Sequence, residues 1–118
     1  MYILKYKTEI SCSHQLPNAY NEKCHNLHGH TYKILVKVTA EKLKNDVVID
    51  FKLLKDIVEE LDHKHLNDFL EVPTAERLAE YLVKKIKTDS EKYNKDIKVE
   101  VTVFESDKSS ITFTDYEN

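Results

Sequence analysis

Seven residues, CHNLHGH (24–30), hold three of the chain's six histidines, one of its two cysteines and its only glycine. Imidazole and thiol are the usual transition-metal ligands, and imidazole is also the usual acid–base group near neutral pH. A hydrophobic core needs neither at this density, so the stretch points to a metal, a catalyst or both. His28 and His30 stand two apart at the start of an apolar-alternating run. On a strand both rings leave the same face, where they can share one ion. His14 lies just past the end of the preceding apolar run, and antiparallel pairing of the two runs brings it alongside. Three imidazoles with no fourth protein ligand describe a catalytic zinc site with one position left for water or substrate. Other divalent ions suit the same donors. An isolated H-x-H pair is more often a solvated strand end. Here Cys24 nearby, and Gly29 leaving no side chain between the two ligands, favour the metal.

Cys24 has three readings. It is a fourth ligand closing a structural site, a small buried hydrophobe, or a reactive thiolate with its pKa lowered by a nearby cation. Its polar flanks, Lys23 and His25, argue against the core. Its spacing favours the thiolate somewhat over the ligand. Further along, ELDHKHLND (60–68) places Asp62 beside His63, a carboxylate that can orient an acid–base imidazole. Taken alone, the pair is an ordinary helix end, where the dipole favours His. Glu105 closes an alternating apolar run and can accept paired hydrogen bonds from a guanidine-like ligand edge, although alone it reads as a solvated strand end. His25 and His65 read as surface polar residues.

The elements that must position these groups are legible as periodicities. YILKYKTEIS (2–11) and HTYKILVKVTAE (30–41) are strands, the second with Tyr32, Ile34, Val36 and Val38 on one face. Residues 15–27 read as a loop and KLKND (42–46) as a polar turn. Asp50 caps a helix whose apolar stripe is Phe51, Leu54, Ile57, Val58 and Leu61. Thr74 caps a second, with Glu76 in its first turn and a stripe of Leu78, Ala79, Leu82, Val83 and Ile86. IKVEVTVFE (97–105) and SITFTDY (110–116) are strands joined by a turn at SDKS (106–109). The order ββααββ predicts an α+β domain spanning residues 1–118, an antiparallel sheet with two helices on one face. Its two sheet edges invite pairing with other copies.

The 118 residues carry a net charge of −3, with 41% hydrophobic and 33% charged residues. That balance is globular and gives no basic surface for nucleic acid or an acidic membrane. No apolar run reaches the roughly 20 residues of a membrane span. The start, MYILKYKTEI, is no export signal, so two cysteines point to free thiols in a reducing, cytoplasmic compartment. A Cys12–Cys24 disulfide is the less favoured alternative.

Six stretches, SCSHQL (11–16), CHNLHGH (24–30), VIDF (48–51), LDHKHLN (61–67), PTAERLA (73–79) and VFES (103–106), carry a resemblance. In this order and spacing the chain resembles the 6-pyruvoyl-tetrahydropterin synthase / 6-carboxytetrahydropterin synthase family over essentially its whole length. The resemblance implies the tunnelling fold, a ββααββ unit of which three copies close a β-barrel and two rings stack into a homohexamer. It implies that His14, His28 and His30 bind Zn2+, that Cys24 is the catalytic base, and that Asp62 and His63 relay protons with it. It implies that Glu105 anchors the pterin ring and that sites lie between subunits. The short spacing from Cys24 to HGH is similar to the bacterial 6-carboxytetrahydropterin synthase branch. That branch converts 7,8-dihydroneopterin triphosphate with loss of triphosphate and acetaldehyde, in queuosine and 7-deazapurine biosynthesis. A pyruvoyl-type synthase or another pterin side-chain lyase is the alternative. A zinc-stabilised oligomerisation module without activity is the alternative of another class. Ser106 stands where the family often has Thr, Arg77 where it often has Asn, and SSITFTDYEN matches the family's tail poorly.

Overall fold

The structure is a computed structural model and describes residues 1–16 and 26–116. Strands β1 (Tyr2–His14) and β2 (His28–Ala40) pair antiparallel along their full length. Helix α1 (Phe51–Glu59), a two-residue strand β3 (Lys64–His65), a 3₁₀ turn (Leu66–Asp68) and helix α2 (Ala75–Ser90) follow. Strands β4 (Ile97–Phe104) and β5 (Ser110–Thr114) complete one sheet in the order β3-β1-β2-β4-β5. Every pairing is antiparallel except β3 with β1.

Period-2 alternation decides which face is covered. Ile34, Val36 and Val38 of β2 and Val99, Val101 and Val103 of β4 are each fully buried, and Ile10 of β1 joins them. Both helices cover this face, α2 against β4 and β5, α1 against α2 and β1. Leu54 and Val58 of α1 and Leu78, Leu82 and Ile86 of α2 complete the core at 0% exposure. The opposite face carries Lys5, Lys7, Glu9, Lys33, Lys37 and Glu100, none of them buried.

Both predicted caps form. Asp50 Oδ1 accepts from the Lys52 N–H at 2.9 Å, and Thr74 Oγ1 from the Arg77 N–H at 3.1 Å. The α+β layout with both helices on one face holds, with a fifth strand inserted between the helices. That strand is two polar residues paired to Cys12 and Ser13, so it leaves no periodic trace. β1 runs on to His14 and β2 starts at His28, beyond the predicted ends, because the two extend each other's ladder. β5 is shorter than predicted, ending at Thr114. Among the described residues, no helix is long and apolar enough to cross a membrane.

Candidate metal centre and its surroundings

The hairpin register places His14 opposite His28, and Cys12 opposite His30. Alternation sends all three imidazoles to the helix-covered face, just beyond the end of the hydrophobic core. His14 Nε2 lies 2.9 Å from His28 Nε2, which lies 3.0 Å from His30 Nε2. His14 is 2% exposed, and His28 and His30 are half-buried.

These short N···N distances are not hydrogen bonds between neutral rings. His14 Nδ1 lies 2.8 Å from the Pro73 carbonyl oxygen, and His28 Nδ1 lies 2.7 Å from that of Asn26. A carbonyl only accepts, so each Nδ1 carries the proton and each Nε2 is left with a bare lone pair. Two lone pairs at 2.9 Å repel unless an electrophile sits between them. A proton is disfavoured, because burial pulls the pKa values of His14 and His30 below the usual 6.5. For His14 the bond to Pro73 opposes that shift in part and the neighbouring imidazoles reinforce it. A divalent cation satisfies all three nitrogens, and Nδ1–H donated to a carbonyl is the usual outer partner of a metal-bound histidine. The donor set therefore fits a metal ion.

Two elements hold this geometry from outside the hairpin. Thr74 caps α2, and the residue before it, Pro73, supplies the carbonyl that orients His14. Thr74→Ala is expected to cost about 1 kcal/mol in urea denaturation and to weaken metal binding titrated on the same sample. The second element is Tyr32. Its ring stacks on His30 with centroids 5.2 Å apart at 27°. Its hydroxyl is buried without a hydrogen-bond partner among the described residues, and burial beside Glu105 and Cys12 raises its pKa.

Asp62 and His63 follow α1 and are tied to β1 at one residue. Asp62 Oδ1 accepts from the Ser11 N–H at 2.8 Å, and the His63 N–H donates to the Ser11 carbonyl at 2.6 Å. His63 has φ 60°, the left-handed region, where a β-carbon is crowded. Asp62 Oδ2 stands 3.6 Å from His63 Nε2, close enough to orient it, and the His63 side chain is 82% exposed. His63 and His30 line one cavity of about 570 Å³. Glu105 is exposed just past β4, and its charge reaches both His30 and Tyr32. It lines a separate cavity of about 250 Å³. Cys24 and His25 lie outside the described residues. Cys12 is a free thiol, pushed up to about 11 by burial and the Asp62 carboxylate. It is no thiolate at neutral pH.

Three features escape sequence reading. The two orienting carbonyls have no side-chain signature. His65, read as a surface residue, places Nδ1 3.0 Å from Ser13 Oγ. Gly29 does not clear a path between the ligands, since alternation puts its missing side chain on the opposite face of the sheet.

Comparison with known proteins identifies the family. The family model described as 6-pyruvoyl tetrahydropterin synthase matches residues 3–116. A 6-carboxy-5,6,7,8-tetrahydropterin synthase of Synechocystis is 35% identical, over 73% of this chain and 75% of that protein. A dihydroneopterin monophosphate aldolase of Pyrococcus furiosus is 39% identical, over 56% of this chain and 60% of its own length. The 6-pyruvoyl tetrahydropterin synthase of Caenorhabditis elegans shares the fold, with a TM-score of 0.71 at 23% identity, covering 98% of this chain and 96% of that one. A match along nearly the whole chain leaves one conclusion: the chain belongs to the 6-pyruvoyl tetrahydropterin synthase family.

Proposed function

We propose that the chain is a zinc-dependent 6-carboxy-5,6,7,8-tetrahydropterin synthase. It converts 7,8-dihydroneopterin triphosphate to 6-carboxytetrahydropterin with loss of triphosphate and acetaldehyde. The observation that carries the reading is the convergence of three imidazole Nε2 atoms on one point, two of them left bare by Nδ1–H bonds to carbonyls. The Synechocystis relative, which has that synthase name, supports the branch. Zinc held by His14, His28 and His30 supplies a Lewis acid for the substrate's side-chain oxygens.

The protein's own groups supply the proton transfers. Cys24 is the base, the role that its match to the family's catalytic cysteine implies, while Cys12 is buried with its pKa raised. Asp62, fixed by the Ser11 N–H, holds His63 as the partner that takes or returns a proton. Glu105 holds the pterin's amino-pyrimidine edge through charge-assisted hydrogen bonds. In one chain Glu105 and His63 line different cavities, which suits sites that take residues from more than one subunit; the assembly that the resemblance implies for them is a homohexamer, a dimer of trimers. We place the enzyme in the cytoplasm, on the route to queuosine.

The Pyrococcus furiosus relative favours a second reading, side-chain cleavage by an aldolase. Incubation with 7,8-dihydroneopterin triphosphate, with products weighed by mass spectrometry and metal content determined on the same sample, decides between them. The expected products are 6-carboxytetrahydropterin and acetaldehyde. A 6-pyruvoyl product overturns the branch, and side-chain cleavage with the phosphates retained on the released fragment makes it an aldolase.

A further inference from the structure

The three imidazoles are not held alike. The Pro73 and Asn26 carbonyls fix His14 and His28 through Nδ1. Among the described residues no carbonyl does this for His30. Packing holds its ring instead. It stands edge-on to His14 and His28, with centroids 4.8 Å away in each case, and nearly parallel to Tyr32. Tyr32 is 1% exposed and lies two residues deeper on the same strand face, so it is the fixed member of that stack. A phenylalanine would supply the same ring without burying a hydroxyl that has no partner among the described residues. The hydroxyl needs an explanation of its own.

The sheet register supplies one. Lys33 pairs with Phe104, so Tyr32 and Glu105 stand side by side at the next position. Val103 is fully buried on the helix-covered face, and alternation sends Glu105, two residues on, the same way. The Glu105 N–H is held by the Ser109 carbonyl at 3.0 Å. Its carboxylate is exposed and takes part in no hydrogen bond or ion pair among the described residues. Two charged or titratable groups reach the Tyr32 hydroxyl, Glu105 and Cys12. The Cys12 thiol, pushed up to about 11, is neutral at pH 7 and a weak acceptor. The carboxylate is a strong one.

We infer that the Tyr32 hydroxyl donates to the Glu105 carboxylate, so that one buried side chain orients a metal ligand with its ring and the glutamate with its hydroxyl. Closing this bond takes a rotation of the exposed Glu105 side chain and leaves the packed ring where it is. Tyr32 is a positioning residue, since burial keeps it from touching a ligand. A carboxylate has about four acceptor sites on its two oxygens. One bond from Tyr32 fixes its plane and leaves acceptors for the paired donors of an amino-pyrimidine edge. That use of Glu105 rests on the pterin reading above, and the Tyr32–Glu105 bond does not. With ligand and anchor set by one rigid side chain, the spacing between metal and ring is set as well.

Urea unfolding of the metal-loaded protein tests the bond without any pterin. Tyr32→Phe should lower the urea midpoint. In a Glu105→Ala background the same substitution should leave the midpoint unchanged or raise it, because the hydroxyl is then an orphan. Equal effects in the two backgrounds overturn the proposal. Co2+ titration, followed by its visible absorption, reads the ring separately. Tyr32→Leu should weaken Co2+ binding roughly tenfold or more and change the spectrum, and Tyr32→Phe should keep both. A Tyr32→Leu protein with wild-type affinity and spectrum overturns the part given to the ring. Unsubstituted pterin, which has the amino-pyrimidine edge and no side chain to react, reads the anchor by calorimetry. Tyr32→Phe should weaken its binding about tenfold, and unchanged binding overturns the positioning of Glu105. A wild-type protein that takes up no pterin, yet shows the background-dependent unfolding, refutes the pterin reading and keeps the Tyr32–Glu105 bond.

Discussion

His28→Ala is expected to abolish metal binding. Its Nε2 is the central one, 2.9 Å and 3.0 Å from the other two, so its loss leaves two nitrogens without their common neighbour. Removing only an outer hydrogen-bond partner of a metal ligand costs roughly 10–100-fold in affinity, and removing a ligand from a three-histidine set costs more. Metal content of the purified protein checks this directly. The loss has a stability consequence. An ion at a thousand times its Kd stabilises the native state by about 4 kcal/mol, on the order of 15 °C in Tm for a domain of this size. Wild-type protein should gain that on metal addition, and His28→Ala should gain nothing.

The pH dependence follows from the same burial. His14 and His30 titrate below 6.5 in the folded chain, while an unfolded histidine titrates near 6.5. As the pH falls through 6.5 the unfolded state takes up protons first, so the metal-free protein loses stability from there downward until the folded rings also protonate. Metal affinity falls in the same direction, because only neutral rings coordinate. A His28→Ala variant that keeps both its metal and its metal-induced rise in Tm would sink the assignment.

This centre was legible in the sequence because its two determinants are local. An H-x-H pair on a strand shares a face whatever the fold, and hairpin pairing of the flanking runs brings His14 beside it. The caps were legible for a similar reason, since Asp50 and Thr74 bond to N–H groups two and three residues away. Tyr32, Ile34, Val36 and Val38, and Ile97, Val99, Val101 and Val103, were legible as period-2 runs buried on one side.

What escaped is non-local or carried by backbone. β3 exists only because β1 offers Cys12 and Ser13 as partners more than fifty residues earlier. No propensity marks Lys64 and His65 as strand. The Pro73 and Asn26 carbonyls that fix the tautomers of His14 and His28 belong to residues chosen for other reasons, and any residue type presents the same oxygen. Gly29 was read as clearing space between the two ligands, but the strand pairing puts its open side on the opposite face of the sheet, beside Ser13.

Cys24→Ala is the substitution that separates an enzyme from an inert metal module. If Cys24 is the base, its removal deletes a proton-transfer group worth roughly 10²–10⁴-fold in rate. Product formation should fall by that factor, with metal content and the metal-induced rise in Tm intact. Cys12→Ala is the matched comparison. The Cys12 thiol is buried and pushed up to about 11, so its loss should lower stability and leave turnover in place. If Cys24→Ala instead releases the metal, the cysteine is a fourth ligand and the site is closed and structural. Four protein ligands leave no position for a substrate oxygen, and the lyase reading then fails with it. If turnover survives unchanged, the base is another group. His63, already oriented by Asp62 and lining the same cavity as His30, is then the next residue to replace.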